Sequence, residues 1–164
     1  MVIRDKSDHD AAWVEALLHA RWGGTTIVVH GEAIDATRLP SLIAGERDGL
    51  ATYRLRGDEA ELMSLDAVEP GRGTGTRLLD ALLERLRQQG IRQLWVTTTN
   101  DNLAALAFYQ RRGFEIRRVH PNAMEAVRRI KPAIPLVAEN GLPIRDEIDL
   151  CRELSRPRPA ASCP

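Results

Sequence analysis

Leu78, Leu79, Leu82, Leu83 and Leu86 recur at three- and four-residue spacing with polar residues between them. That period places all five on one face of a helix and predicts one over Thr76–Gln89, which Gly90 can end in a left-handed cap. An earlier amphipathic run carries Ala12, Val14, Leu17 and Leu18 and predicts a helix from a cap at Ser7 or Asp8 through about Arg21, stopped by Gly23 and Gly24. Asn100, Asp101 or Asn102 can cap a third helix ending near Gly113.

Between the helices the period shortens. Val2–Arg4 reads as a short first strand, and the β-branched run Thr25–His30 as a buried strand ended by Gly31. Leu42–Arg47, Gly49–Arg56 and Ala60–Val68 read as an antiparallel meander, with turns at Gly49 and at Gly57-Asp58. Ile91–Thr98 and Phe114–Val119 are further strands. The order strand, glycine loop, helix, strand, helix, strand predicts an α/β (mixed α+β) fold, with chemistry where strands end and helices begin. Beyond His120, Pro132, Pro135 and Pro143 interrupt the pattern and Asn140-Gly141 marks a turn, so an extended lid or edge strand is expected. The 164 residues fit one domain over 1–155, with a flexible Pro- and Ser-rich tail at 156–164.

Composition narrows the partners. Lys plus Arg and Asp plus Glu are equal at 23 each, so no net positive field gathers nucleic acid or anionic lipid. Arg111, Arg112, Arg117, Arg118, Arg128 and Arg129 read as solvated surface, and no nucleic-acid partner is expected. The charged start MVIRDKSDHD lacks a secretory apolar run and no stretch is apolar enough to span a bilayer, so the expectation is a cytoplasmic chain without a membrane partner. Cys151 and Cys163 lack CxxC spacing, and His9, His19, His30 and His120 form no HExxH, so no metal site is expected.

The string Pro70-Gly71-Arg72-Gly73-Thr74-Gly75-Thr76 joins a predicted strand to the strongest predicted helix. Its amides can point at an anion while the helix dipole adds positive potential, and its glycines permit close backbone approach and positive φ. No Lys-Ser or Lys-Thr follows in the Walker position, and Leu78 stands where GxGxxG needs its third glycine. A phosphate-bearing ligand other than a nucleoside triphosphate or dinucleotide is the natural candidate, and a plain tight turn before a helix is the competing reading of the loop taken alone.

PGRGTGTRLL resembles the coenzyme A pyrophosphate loop of the GNAT N-acetyltransferase superfamily. Asn102-Leu-Ala-Ala-Leu-Ala-Phe-Tyr109, followed by Arg112-Gly113-Phe114, is similar to the family's second signature, and the two occur in family order across Ala60 to Val119. The resemblance implies a mixed, twisted sheet of six or seven strands and a V-shaped opening between parallel strands ending near Val68 and Thr99. It implies acetyl-CoA as co-substrate, its pyrophosphate on the amides of Gly71, Arg72, Gly73, Thr74, Gly75 and Thr76, and its arm near Asn102, Tyr109 and the backbone of Ala67 and Val68. Pro70 stands where the family usually has Gln or Arg, which removes a side-chain phosphate contact and leaves the backbone cradle.

Acetyl transfer to an amine requires a neutral nucleophile, a stabilised carbonyl oxygen and a proton for the departing thiolate. Tyr109 falls at the family's thiolate-facing position and is the expected general acid; the competing reading is a core aromatic beside Phe108. Asn102 serves equally as coenzyme contact or helix cap. For the base, Glu61 and Asp66 lie on the strand before the loop, on opposite faces if that strand is regular, and Asp66 is favoured. Asp146, Glu147 and Asp149 form an acidic stretch that reads as a solvated edge, or as a lid attracting a cationic amine. The resulting expectation is N-acetylation of a small-molecule or protein amine by direct attack in a ternary complex, by a monomer or homodimer. The alternative is a non-catalytic coenzyme-binding or sensory module of the same fold.

Overall fold

A computed structural model describes residues 1–154; the expected flexible tail at 156–164, and Cys163 within it, lie outside the described residues. Strand β1 (Ile3–Asp5) leads through a 3-10 turn at Asp8–Asp10 into helix α1 (Ala11–Trp22). Ser7 and Asp10 close that turn, since the Ser7 amide and hydroxyl both donate to Asp10 Oδ2, at 2.9 and 3.0 Å. A hairpin of β2 (Thr26–Val29) and β3 (Glu32–Asp35) follows, then the meander β4 (Ser41–Ala44), β5 (Gly49–Arg56) and β6 (Glu59–Ala67). The remaining elements are α2 (Thr74–Gln88), β7 (Gln93–Thr99), α3 (Leu103–Arg111), β8 (Glu115–His120), α4 (Met124–Ile130) and β9 (Glu147–Glu153). Seven strands make one mixed sheet in the order β1-β4-β5-β6-β7-β9-β8, in which only β6 and β7 run parallel.

Alternation along β4 and β5 divides the interior between two faces. Leu42, Ala44 and Ala51 join the α2 leucines, Leu94, Tyr109 and Phe114 on one side, whereas Ile43 and Leu50 join Val14, Leu17, Leu18, Ile27 and Met63 on the other. Burial of each α2 leucine contributes about 1.5–3 kcal/mol before entropy is counted.

Three elements depart from the sequence-based expectation. The segment after His120 is neither lid nor edge: it forms α4, and then β9 inserts between β7 and β8. The acidic stretch is not a solvated edge, because Asp146, Glu147 and Asp149 are all buried. Strand β3 follows Gly31, which the sequence pattern placed at the end of the run, because His30 (φ 52°) and Gly31 (φ 74°) supply the two positive φ angles of a tight hairpin turn. No described helix is long and apolar enough to cross a membrane.

Candidate active site at the splayed strands

Parallel pairing of β6 with β7 joins Glu59–Leu62 to Gln93–Val96 and stops there. Each strand then follows its other neighbour, β6 with β5 as far as Ala67 and β7 with β9 as far as Thr99. The strands therefore part, producing the V-shaped opening that the resemblance implied, with main-chain groups along its edges not used in β6–β7 pairing.

The glycine loop stands at the β6 end of this opening. Gly73 caps α2 at φ 77° and Gly71 holds φ 82°, conformations that disfavour a side chain. The amides of Gly71 to Thr76 have no acceptor within the described residues, as expected for a helix start that presents donors to an anion. Gly49 lets the loop sit close: a Cβ there would lie 2.7 Å from Thr74 Cγ2 and 2.9 Å from the Asp66 carbonyl oxygen. From α3's C-terminal end, Arg112 Nη2 donates to Thr76 Oγ1 at 2.6 Å and Nη1 to the Phe108 carbonyl at 2.9 Å, while the guanidinium lies 3.6 Å from the Phe108 ring centroid. This clamp joins the two signature segments. Arg72, in contrast, points its side chain into solvent against Glu69, so the cradle is made of backbone.

Tyr109 is buried between Phe108 and Phe114, with ring centroids 5.2 and 5.3 Å away. Burial pushes its pKa well above the usual phenol range; the nearby Asp66 carboxylate adds to the shift and Arg112 opposes it. The phenol therefore stays protonated through neutral pH. Asn102 performs the predicted capping, its Oδ1 accepting from the Ala105 amide at 3.1 Å, and also lines the opening. Backbone groups at Ala67 and Val68 are partly engaged already: both carbonyls accept from Arg21 at 3.2 Å, and the Val68 amide donates to Asp48.

The expectation that Glu61 and Asp66 face opposite ways is corrected by a β-bulge. Thr52 pairs with Ser64 and Tyr53 with Leu62, so Met63 is the extra residue. A bulge shifts the alternation by one position, which brings Glu61, opposite Arg54, and Asp66, opposite Leu50, to the same face as α1. Their environments differ. Glu61 is held in ion pairs with Arg54 at 2.9 Å and Arg56 at 3.3 Å. Asp66 accepts from Trp22 Nε1 at 2.9 Å, and burial raises its pKa against the opposing Trp22 hydrogen bond and Arg21 charge.

On this face lies a cavity of about 330 Å³, bounded by β2, Trp22, the β6 bulge, β7, α4 and Glu147. The strand β9 that closes it is anchored by Asn100, whose Oδ1 accepts from the Arg145 and Asp146 amides at 3.1 and 3.0 Å. Beside the cavity, Asp149 accepts from Thr97 Oγ1 at 2.7 Å and engages His120 Nε2 at 2.7 Å and His30 Nε2 at 3.2 Å. His30, His120 and Asp149 are the described side chains with donor atoms close enough, within 4.8 Å of one another, to hold a metal ion. Sequence spacing gave no sign of this cluster, since its members come from a hairpin turn and two strand positions. Of the arginines read as solvated surface, Arg118 instead lies 4.7 Å from the Trp95 ring centroid, and Arg128 donates to the Ile134, Pro135 and Ile144 carbonyls.

Fold, splay and glycine loop together match the architecture that the resemblance to the GNAT acetyltransferases implied. The model of the acetyltransferase (GNAT) family matches residues 43–114. Bacillus subtilis YxbD is 41% identical over 145 residues, 86% of this chain and 91% of that protein. The [ribosomal protein bS18]-alanine N-acetyltransferase of Salmonella typhimurium is 32% identical over 146 residues, covering 82% of this chain and 95% of the relative. A GNAT acetyltransferase from Elizabethkingia anophelis, solved with acetyl-CoA bound, superposes with a TM-score of 0.65 at 18% identity, covering 93% of this chain and 97% of that one. The chain belongs to the GNAT acetyltransferase family.

Proposed function

We propose that this protein transfers the acetyl group of acetyl-CoA to a primary amine by direct attack in a ternary complex. The observation that carries the reading is the row of unpartnered amides from Gly71 to Thr76 at the foot of the splayed strands. Its donors and the α2 dipole fit a pyrophosphate. In the reaction the amine nitrogen bonds to the acetyl carbonyl carbon as the carbon–sulfur bond breaks, the nitrogen loses a proton and the sulfur gains one.

The chain's own groups divide this work. Gly71 to Thr76 hold the diphosphate, and Arg112 fixes the loop to α3 through Thr76. Asn102 borders the pantetheine arm, with the part of β6 beyond Leu62, which is not paired with β7, opposite. Tyr109 donates its phenolic hydrogen to the departing sulfur. With its proton held so firmly, it acts first as a hydrogen-bond donor to developing negative charge. Asp66, whose raised pKa suits a base better than an ordinary surface carboxylate, accepts the amine's proton beside Trp22; Glu61 is committed to its arginines.

Replacing Tyr109 by Phe tests the reading. With coenzyme release followed at saturating acetyl-CoA, turnover should fall about 100-fold, while calorimetric acetyl-CoA affinity stays within about threefold, less than 1 kcal/mol. Full turnover in the variant would remove Tyr109 from the chemistry.

A further inference from the structure

The acetyl-transfer reading leaves the cluster of His30, His120 and Asp149 without a role. Three segments distant in sequence bring it together: the turn between β2 and β3 carries His30, the end of β8 carries His120, and Asp149 lies in the middle of β9. Asp149 stands cross-strand from Thr97, and His120 stands cross-strand from Glu147, two residues along β9 on the same face. Both imidazoles turn the same nitrogen to the carboxylate. His120 Nε2 lies 2.7 Å from Asp149 Oδ2 and His30 Nε2 lies 3.2 Å from Oδ1, while the two rings meet edge to face with centroids 4.5 Å apart.

Two imidazole nitrogens and one carboxylate oxygen form a donor set suited to zinc and similar first-row ions, whereas magnesium and calcium prefer oxygen alone. Zinc binds these atoms at about 2.0–2.2 Å, so neighbouring donors in a tetrahedral site are about 3.3 Å apart. The 3.2 Å separation already fits, and the 2.7 Å one needs to open by about 0.6 Å. Thr97 Oγ1 donates to Asp149 Oδ1 at 2.7 Å, an outer contact of the kind that orients a metal-binding carboxylate. The Asp149 side chain is 4% exposed, but those of His30 and His120 are 39% and 36% exposed, so an ion can enter from solvent and keep water as a further ligand. Charge points the same way. Glu147, buried on this face of β9, makes no ion pair with Lys or Arg among the described residues, and a dication beside it would offset that buried negative charge.

We propose that His30, His120 and Asp149 bind one divalent transition-metal ion of the zinc type, with water completing its coordination. The ion clips the β2–β3 turn to β8 and β9. Val28 and Val29 of β2, Thr97 and Glu147 line the 330 Å³ cavity, so the clip also fixes one of its walls. None of the three ligands is assigned to acetyl transfer, and the two readings stand or fall separately.

The test uses the full chain without a histidine tag, stripped with chelator, exchanged into chelator-free buffer and titrated calorimetrically with zinc chloride at about pH 7.5. One zinc ion should bind per chain, and magnesium at least about tenfold more weakly. His30→Ala and His120→Ala should each weaken zinc binding by at least about 100-fold, and Thr97→Val by about tenfold. At free zinc about 100 times its dissociation constant, the wild-type folding equilibrium should shift about a hundredfold toward the folded state, and the His120→Ala equilibrium should not move. A check that needs no variant follows the imidazole resonances of wild-type protein, where zinc should shift His30 and His120 and leave His9 and His19 in place. No heat with zinc up to about 1 mM, unchanged affinity in either histidine variant, or shifts centred on His9 or His19 would overturn the proposal.

Discussion

On one face of the sheet, α2 sets five fully or almost fully buried leucines against Leu42, Ala60, Leu94 and Leu150, with no unpartnered polar group among them. On the other face, α1, the β2–β3 hairpin and α4 surround a cavity that reaches Glu147 and Trp95, each with a buried polar atom left unpaired. The filled face supports the glycine loop, whose amides from Gly71 to Thr76 have no acceptor among the described residues. The hollow face keeps a cavity of about 330 Å³ beside the splay. Rigid packing and unsatisfied polarity are thus separated by the thickness of one sheet, and the splay between β6 and β7 is where the two sides communicate.

Core substitutions sharpen that contrast most strongly. Leu82→Ala, in the filled face, should lose about 2–5 kcal/mol of stability, whereas Val127→Ala, beside existing space, should lose less than about 2 kcal/mol. Urea unfolding of both variants checks the order, and equal losses would mean that the cavity is not a standing feature of the fold.

Asp66 gives a smaller, pH-dependent effect. Its folded pKa is raised by burial, so the protonated form is favoured by folding and its ionisation opposes the fold. The stabilising contribution of the protonated form is complete below the ordinary Asp range, about pH 3.9, and is lost as pH rises through the higher folded value. Asp66→Asn should therefore melt above the wild type at pH 7, with the difference closing as pH falls to about 3. Its turnover should lose the acidic limb of the pH profile. A variant less stable than wild type at pH 7 would contradict the burial argument.

The filled face was legible because its determinants are local. The α2 leucine period, the Gly71–Thr76 loop, Gly90 and the Asn102 cap are each confined to a few neighbouring residues, and each occurs where the pattern placed it. The hollow face depends on contacts distant in sequence. Nothing in EIDLCRE announces an interior strand, since Glu147 and Asp149 become buried only when the His30 turn, Thr97 and His120 converge on them. The Met63 bulge was equally hidden: a single extra residue leaves no mark in composition, yet it moves Asp66 across the sheet to the side of Trp22. Helix α4, only seven residues long and followed by Pro132, is too short to establish a period.

A titration of isotopically labelled protein with desulfo-CoA, followed by amide chemical shifts, examines the coenzyme cradle directly. The largest changes should fall on the N–H groups of Gly71, Arg72, Gly73, Thr74, Gly75 and Thr76, and should persist in Arg72→Ala because that side chain is turned to solvent. Shifts confined to other segments, or binding that disappears with the Arg72 side chain, would contradict a diphosphate held by the main chain at the start of α2.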